Sequence, residues 1–421
     1  MPHPPGSPSS PLPQPRLRHL SNGVALVELD LPQAPLICLD FWCRAGSATE
    51  TGRESGLAHF LEHMVFKGSE HLPAGAFDQR VEALGGSSNA ATGFDDVHYH
   101  VLIPPEAAPE ALDLLLDLVL KPRLAEDDFA MERQVVLEEL AQSEDQPEEV
   151  AFQELLRRAC ADHAYGLPIL GRREALEGHH PEAMAAFHQR HYRADRCCLS
   201  VAGPLAGLDL MAQLEASPLA RLNASTEAAA MAPVPLHAGE ATLALPRLEA
   251  ARLLMAWRLP GAADQEAVMG GDLLTTLLAE GRRSRLVERL REQLRLVESI
   301  DLDLNVLEAG CLVLLEAVCE VEQLPAVERE VRAVLEGLLT QPPQEAEVER
   351  ARRLVSNGYR FSLEAPSSVA ALLGNSNLWG RTHDLDTPLQ WIQRWDAERL
   401  TRQLIPLLQP DQAFTLRAVP A

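Results

Sequence analysis

The chain has no long hydrophobic run, and it has few basic residues relative to acidic ones. No apolar stretch approaches the roughly 18 residues that a membrane-spanning helix requires, so we expect no membrane anchor. Lys and Arg number 37 against 61 Asp and Glu, and the formal net charge is −24. Such a surface repels the phosphates of nucleic acid and an anionic membrane. The sequence therefore predicts neither nucleic acid nor a membrane as a partner.

Paired cysteine motifs are also absent. The seven cysteines form an odd set without CxxC spacing, and most lie among aliphatic residues in apparent strands. Reduced, buried thiols are the simplest interpretation, and we assign them no chemistry.

The first fifteen residues, MPHPPGSPSSPLPQP, contain seven prolines and no apolar segment. This composition is not that of a secretory signal, and it favours a disordered or polyproline-like tail over residues 1–15. We therefore expect a cytoplasmic protein.

Length and composition together predict two domains. A chain of 421 residues is too long for one ordinary core, and 46% hydrophobic residues are enough to fill two. Residues 220–236 lack periodicity and are rich in Ala, Pro, Ser and Asn, so we place an interdomain linker there. The first domain then spans residues 16–219 and the second spans residues 237–421.

Hydrophobic periodicity predicts a mixed α+β fold. In the first half, strands flank the Asn22-Gly23 turn and run along PLICLDFWCRAGS, a strand pair lies in SSNAATGFDDVHYHVLIP, and several helices connect them. The second half repeats this order as two strands, two helices and two strands. The repeated order indicates duplication of one unit, in which a mixed sheet packs against helices.

The segment GLAHFLEHMVFKGSE, which begins at Gly56, places three polar groups in an apolar run with a helical pattern. His59 and His63 are four residues apart, so on a helix they share a face and can reach one ion. Glu62 would lie beside that face. Two neutral imidazoles bind Zn²⁺ at about 2.0–2.1 Å, and a free carboxylate can take a proton from the bound water. The order H-x-x-E-H is the inverse of the H-E-x-x-H motif of zinc proteases.

A third ligand is needed, because hydrogen-bonded core histidines beside a solvated glutamate would produce the same short pattern. The predicted helix in EDDFAMERQVVLEELAQSEDQP supplies candidates. Glu132 and Glu139 are seven residues apart, two turns along one stripe, and Val135 and Val136 beside them can pack inward. An ordinary acidic, exposed helix face is the alternative.

Four segments together resemble the pitrilysin or insulinase family of metallopeptidases: HFLEHMVFKGS, NAATGFDDVHY, ERQVVLEEL and GRRSRLVERLRE. They occur in this order over nearly the whole chain after the tail. The resemblance implies a zinc peptidase built from homologous α/β roll domains, two per chain in the short type, that pair like the halves of a clam around a peptide.

The resemblance also implies site residues. His59 and His63 would be zinc ligands, Glu139 the third ligand, Glu62 the catalytic base, and Glu132 an acidic companion of the ligands that supports catalysis.

Three further positions are expected to bind substrate. By resemblance, Asn89 and Ala90 lie where the family offers a strand edge to an extended peptide, although a plain turn is the alternative for Asn89. The family also places an Arg, and a Tyr seven residues later, in the second domain to contact the scissile carbonyl. Arg291 matches the Arg, although an ordinary exposed helical arginine is the alternative. Glu298 occupies the Tyr position, and a carboxylate opposes a developing oxyanion.

The leading hypothesis is a zinc endopeptidase that hydrolyses extended peptides or unfolded segments. The alternatives are a non-catalytic or half-site assembly subunit and a dedicated precursor-processing peptidase. Because Glu298 makes self-pairing chemically awkward, we expect a homologous partner subunit, and a heterodimer in preference to a homodimer.

Overall fold

The computed structural model describes residues 12–224, 231–381 and 384–421. Most of the predicted tail (residues 1–11) and the centre of the predicted linker (residues 225–230) lie outside the described residues. Among the described helices, none is long and apolar enough to cross a bilayer. All seven cysteines lie in the described part, where each is buried and forms no disulfide.

The first half contains six strands and eight α-helices among the described residues. In chain order they are β1 Arg16–His19, β2 Ala25–Asp30, β3 Ile37–Cys43, α1 Leu57–Val65, α2 Ala76–Ala83, β4 Ser87–Thr92, β5 Val97–Ile103, α3 Ala108–Leu120, α4 Glu126–Glu144, α5 Pro147–Ala159, α6 Arg173–Gly178, α7 Pro181–His191, β6 Cys197–Gly203 and α8 Leu210–Ala216.

The second half contains five strands, six α-helices and one π-helix among the described residues. They are β7 Gly239–Leu245, β8 Ala251–Leu259, α9 Gln265–Ala279, the π-helix Val287–Gln293, β9 Ser299–Asn305, β10 Cys311–Cys319, α10 Leu324–Thr340, α11 Glu345–Ser362, α12 Pro366–Leu378, α13 Thr387–Gln393, α14 Ala397–Gln403 and β11 Phe414–Pro420.

The two halves form separate mixed sheets with the same topology. The first has the order β1-β2-β6-β3-β5-β4 and the second has the order β7-β11-β8-β10-β9. In each sheet one pair is parallel, β2 with β6 and β7 with β11, and the other neighbours are antiparallel. Apart from the additional β1, the sheets match strand for strand. The predicted α+β fold with a duplicated unit is confirmed.

Each half contributes one helix to the sheet of the other half. Helix α5 packs on β8 and β11 of the second sheet, where Leu155 shares a core with Leu416. Helix α12 packs on β2, β3 and β6 of the first sheet, where Val369 shares a core with Val27. This exchange buries apolar side chains from both halves together, so the halves pack as one unit.

The first sheet has two buried faces because its central strands are apolar on both sides. Along β3, Leu39 and Phe41 face the core that contains α1, whereas Cys38 and Trp42 face the side covered by α12. Side chains alternate between faces along a strand, so neighbouring residues of one strand lie in different environments on opposite faces of the sheet. Strand β4 lies at the edge of this sheet.

Two expectations from the sequence need correction. Val135 does not pack inward: it is 45% exposed, whereas Val136 is fully buried. Buried Glu132 and Val136 are four residues apart on the inner face of α4, so Val135 turns outward together with exposed Met131. The helix predicted in SRLVERLREQL is a π-helix over Val287–Gln293.

Candidate active site

Helix α1 carries the inverted motif, and its apolar residues fix its orientation. Leu57, Phe60 and Leu61 are fully buried in the core beneath the helix. Gly56 directly precedes the helix, its φ of +83° lies in the left-handed region, and a Cβ at this position would lie 2.6 Å from the carbonyl oxygen of Leu170. Glycine is therefore required for this entry to the helix.

Glu50 caps the N-terminus of α1. Its Oε2 accepts from the backbone N–H of Gly56 at 2.9 Å, and its Oε1 accepts from that of Ala58 at 2.7 Å. Burial raises the pKa of Glu50 to about 8, while the N–H bonds from Ala58 and Gly56 oppose that rise. The carboxylate thus satisfies N–H groups that a helix terminus leaves without partners, and it anchors the turn that precedes His59.

The structure brings His59, His63 and Glu139 together. Glu139 Oε2 on α4 lies 3.7 Å from His59 Nε2 and 3.4 Å from His63 Nε2, and one ligand atom from each residue lies within 4.8 Å of the others. Tetrahedral bonds of about 2.0–2.1 Å separate neighbouring ligand atoms by about 3.3 Å. Two imidazoles and one carboxylate are donors that Zn²⁺ prefers, and three protein ligands leave a position open. The residues therefore fit a catalytic zinc ion.

Burial and mutual charge prepare the two histidines differently. Desolvation, with a smaller effect of His63, lowers the pKa of His59 to about 4, so its ring is neutral as a ligand must be. Burial also opposes protonation of His63, but the hydrogen bond and charge of Glu132 outweigh it and raise the pKa of His63. The rings pack edge to face with centroids 4.7 Å apart.

Glu132 lies behind His63. Its Oε1 is 2.9 Å from His63 Nδ1, and its Oε2 is 2.6 Å from Lys67 Nζ. These bonds outweigh the desolvation of Glu132, which is 5% exposed, and lower its pKa. Glu132 can therefore hold the His63 ring so that Nε2 points toward Glu139, while Nδ1 of His59 is buried without a hydrogen-bond partner among the described residues.

Glu62 lies beside these three potential ligands. Thr92 on β4 donates to its Oε2 at 2.5 Å. Burial is the main cause that raises the pKa of Glu62, and the negative charge of Glu139 adds to it, while the bond from Thr92 opposes the rise. A carboxylate with a raised pKa next to an open metal position is suited to exchange protons with a reacting group.

The edge strand β4 passes alongside α1. Asn89 is exposed, and its side-chain oxygen accepts from the backbone N–H of Ala90 at 2.9 Å. Ala90 packs against the core beneath α1, and Thr92 two residues later contacts Glu62. An extended peptide paired with this edge would run past Glu62.

The structure does not bring Arg291 to these residues. Arg291 lies in the π-helix, and its described hydrogen bonds, of 3.1 and 3.0 Å, both go to Glu292. Glu298 is exposed and precedes β9, and its backbone N–H donates to Val318.

Sequence reasoning missed three residues that support the site: Glu50, Lys67 and Thr92. Lys67 is four residues after His63, and this helical spacing was a usable signal. Glu50 and Thr92 reach α1 from other segments through contacts that periodicity does not reveal.

Two family models match consecutive stretches of the chain. The model described as insulinase (peptidase family M16) matches residues 29–173, and the model described as peptidase M16 inactive domain matches residues 180–355. The chain belongs to peptidase family M16. The first M16 match contains every residue of the α1 and α4 cluster, and the second contains Arg291 and Glu298.

Relatives of similar sequence are named as zinc proteases. A protein of Mycobacterium leprae named uncharacterized zinc protease is 29% identical over 385 residues, covering 90% of this chain and 86% of that protein. The uncharacterized zinc protease YmxG of Bacillus subtilis is 25% identical over 396 residues, covering 94% and 96%.

Among solved structures, a protease from Helicobacter pylori has a TM-score of 0.89 at 24% identity, covering 97% of this chain and 100% of that one. A peptidase M16 inactive domain from Pseudomonas fluorescens has a TM-score of 0.88 at 19% identity, covering 97% and 98%. These two similarities show the fold alone.

Proposed function

We propose that this M16 protein is a zinc-dependent endopeptidase that hydrolyses extended peptides or unfolded segments. The observation that supports the proposal most strongly is the meeting of His59, His63 and Glu139 beside Glu62. The names of its relatives as zinc proteases are consistent with it.

In this proposal His59, His63 and Glu139 hold the ion, and Glu132 positions His63. A zinc ion held there supplies Lewis acidity that polarises a carbonyl and acidifies water. Glu62 accepts the proton of the attacking water and passes it to the leaving amine, and the burial that raises the pKa of its carboxylate favours this proton transfer. Thr92 holds Glu62 in place through the hydrogen bond to Oε2.

The edge of β4 provides the proposed substrate contact. A peptide that pairs with Asn89 and Ala90 through main-chain hydrogen bonds would bind without a strict sequence requirement. This mode requires an extended backbone, so folded proteins would be poor substrates.

We also propose that activity requires a homologous partner subunit and that the pair is a heterodimer. Glu298 stands where the family places a Tyr, and Arg291 is bonded to Glu292, so these two positions offer no pair of donors for an oxyanion. A partner whose second domain carries both Arg and Tyr would supply them. The alternative, in which this chain serves only as an assembly subunit, does not explain why all three proposed zinc ligands are present.

We further propose that residues 16–219 and 237–421 form the two domains. We also propose that the protein is cytoplasmic. Seven buried cysteines without a disulfide suit a reducing compartment, which supports that location.

Metal removal tests the proposed activity. The chain is purified alone and with a candidate homologous subunit, its zinc is measured, and both samples are assayed on a mixed peptide pool. We expect cleavage that a chelator abolishes and added Zn²⁺ restores, with the higher rate in the mixed sample. Cleavage at an unchanged rate in the presence of the chelator would contradict the zinc mechanism. No cleavage in either sample would favour the alternative that the chain is an assembly subunit.

A further inference from the structure

Three potential metal ligands cluster on the first sheet, on the face opposite α1. Asp40 lies on β3, and His98 and His100 lie two residues apart on the adjacent strand β5. Side chains alternate along a strand, so both rings project from one face, and the strand register places His100 directly opposite Asp40. One ligand atom from each of the three residues lies within 4.8 Å of the others.

The two faces of β5 separate this cluster from the α1 site. Val97 and Tyr99 point into the core that contains α1, whereas His98 and His100 alternate with them and point the other way. Asp40 likewise alternates with Leu39 and Phe41, which face that core. The cluster therefore uses none of the residues that hold or surround the zinc site.

Local contacts hold Asp40 and His98 in place. His98 Nδ1 lies 3.0 Å from Asp40 Oδ1, and the His98 ring stacks on Trp42 with centroids 4.2 Å apart and planes 16° apart. Asp40 is only 1% exposed, while the His98 side chain is 20% exposed. Asp40 is thus buried, while His98 remains partly exposed to solvent.

His100 is not explained by a simple Asp–His pair. Its ring stacks on His98 at 5.7 Å between centroids, and among the described residues it has no hydrogen-bond partner. The ring is half-buried, so its partner is either water or a bound ion. A cation fits this place, because a neutral imidazole offers it a lone pair.

We propose that Asp40, His98 and His100 form a second metal site, separate from the α1 site, that binds a divalent ion of the Zn²⁺, Ni²⁺ or Cu²⁺ class. Imidazole nitrogen suits these metals, and one carboxylate reduces the charge of the bound ion. Three protein ligands leave positions open to water.

An ion at this site joins β3 to β5 beneath the substrate edge. Strand β5 pairs with β4, and His100 lies directly opposite Asn89. Occupancy would therefore stiffen the ladder that supports the edge on which we place the peptide, and the site extends the proposed function without depending on it.

Metal stoichiometry tests the proposal. Equilibrium dialysis of the wild-type chain against Zn²⁺ should give about two equivalents per chain, and both H100Q and H63A should give about one, because each removes one ligand of a different three-ligand site. The matched control is H71Q: His71 pairs with Asp117 at 2.7 Å much as His98 pairs with Asp40, but it is exposed and belongs to no such cluster among the described residues. It should retain about two equivalents.

Two further measurements protect this test against misfolding. In chelator, H100Q should melt close to the wild-type temperature, because the ring has no hydrogen-bond partner to lose among the described residues. In the H63A/E139A double variant, Cu²⁺ should bind at about one equivalent, and its electron paramagnetic resonance should show two coordinated imidazoles. A wild-type stoichiometry of about one, an unchanged stoichiometry in H100Q, or no stoichiometric Cu²⁺ in the double variant would overturn the proposal.

Discussion

Helices α1 and α9 occupy the same place in the two halves, yet they carry different chemistry. Each follows the second strand of its repeated unit, α1 after β3 and α9 after β8. Helix α1 presents His59, Glu62 and His63, whereas α9 contains no histidine. The duplicated fold alone therefore does not create the site.

The helices that pack against them differ in the same way. Helix α4 brings Glu139 to the histidines of α1, while its counterpart α11 brings Arg350 to α9. The guanidinium of Arg350 donates to the backbone oxygens of Glu280 at 2.9 Å and Thr276 at 3.3 Å. Where the first half brings one carboxylate to two imidazoles, the second half places a cation that would repel a metal ion.

The largest expected effect is the loss of a ligand from the first half. H63A or E139A should lose the zinc held between α1 and α4, about one equivalent per chain, and reduce peptide cleavage to background, because two ligands do not complete the site. Zinc content after dialysis and the cleavage rate measure both effects. The matched control is E138A, which removes an exposed carboxylate next to Glu139 on α4. Equal losses in E138A and E139A would mean that Glu139 is not a ligand.

A smaller effect is expected when Glu132 is removed. E132A leaves His63 without the acceptor 2.9 Å from its Nδ1, so the ring loses its orientation. Outer carboxylates of this kind typically contribute 10–100-fold to metal affinity or activity, and we expect a loss of about that size. Unchanged zinc affinity together with unchanged turnover would show that Glu132 serves only as the ion-pair partner of Lys67.

In the second half, Asp272 on α9 should respond to pH. Burial, with a smaller effect of Glu280, raises its pKa to about 6. A carboxyl whose pKa is higher in the folded state than in the unfolded state, where it is about 3.9, stabilises the fold when it is protonated. This stabilisation is complete below the unfolded pKa and is lost as the pH rises through about 6, which lowers the free energy of unfolding by up to about 3 kcal/mol. The free energies of unfolding of wild type and D272N, measured in urea, should therefore differ. Between pH 4 and pH 7 this difference should shift in favour of the variant.

The control for Asp272 lies in the same cavity. Asp301 on β9 is exposed and lines this cavity of about 810 Å³ together with Asp272. D301N should change little across this pH range. A pH-independent difference between wild type and D272N would show that Asp272 is ionised without cost in the folded protein.

The smallest expected effect concerns Arg291. If a partner subunit supplies the donors for the oxyanion, R291A should cost little in the mixed complex, whereas loss of the partner's corresponding Arg or Tyr should cost much. Cleavage rates of the mixed complex with each variant decide this. A robust activity of the chain alone that R291A destroys would refute the heterodimer.

The sequence predicted the repeated fold and the shared face of His59 and His63, because both depend on local periodicity. It could not choose between Glu132 and Glu139 without the family resemblance, since both lie on one stripe of a helix. Their difference depends on which nitrogen of His63 each one reaches, and that is set by packing of α4 on α1.

Tertiary contacts account for what was missed. The apolar stripes of α5 and α12 indicate burial, but not that each helix packs on the sheet of the other half. Glu50 and Thr92 are polar residues distant in sequence from the groups they contact, so no spacing rule identifies them. Val135 was misassigned because periodicity fixes an inner face only to within one position.

The zinc content and the peptidase activity of E62Q test the central claim most directly. The amide keeps the shape of Glu62 and leaves the three ligands untouched, but it does not accept the proton of the attacking water. We expect E62Q to bind as much zinc as the wild type and to show no cleavage above background, while E70Q, which changes an exposed glutamate after α1, behaves as wild type in both assays. Cleavage by zinc-loaded E62Q at a rate near that of the wild type would contradict the account.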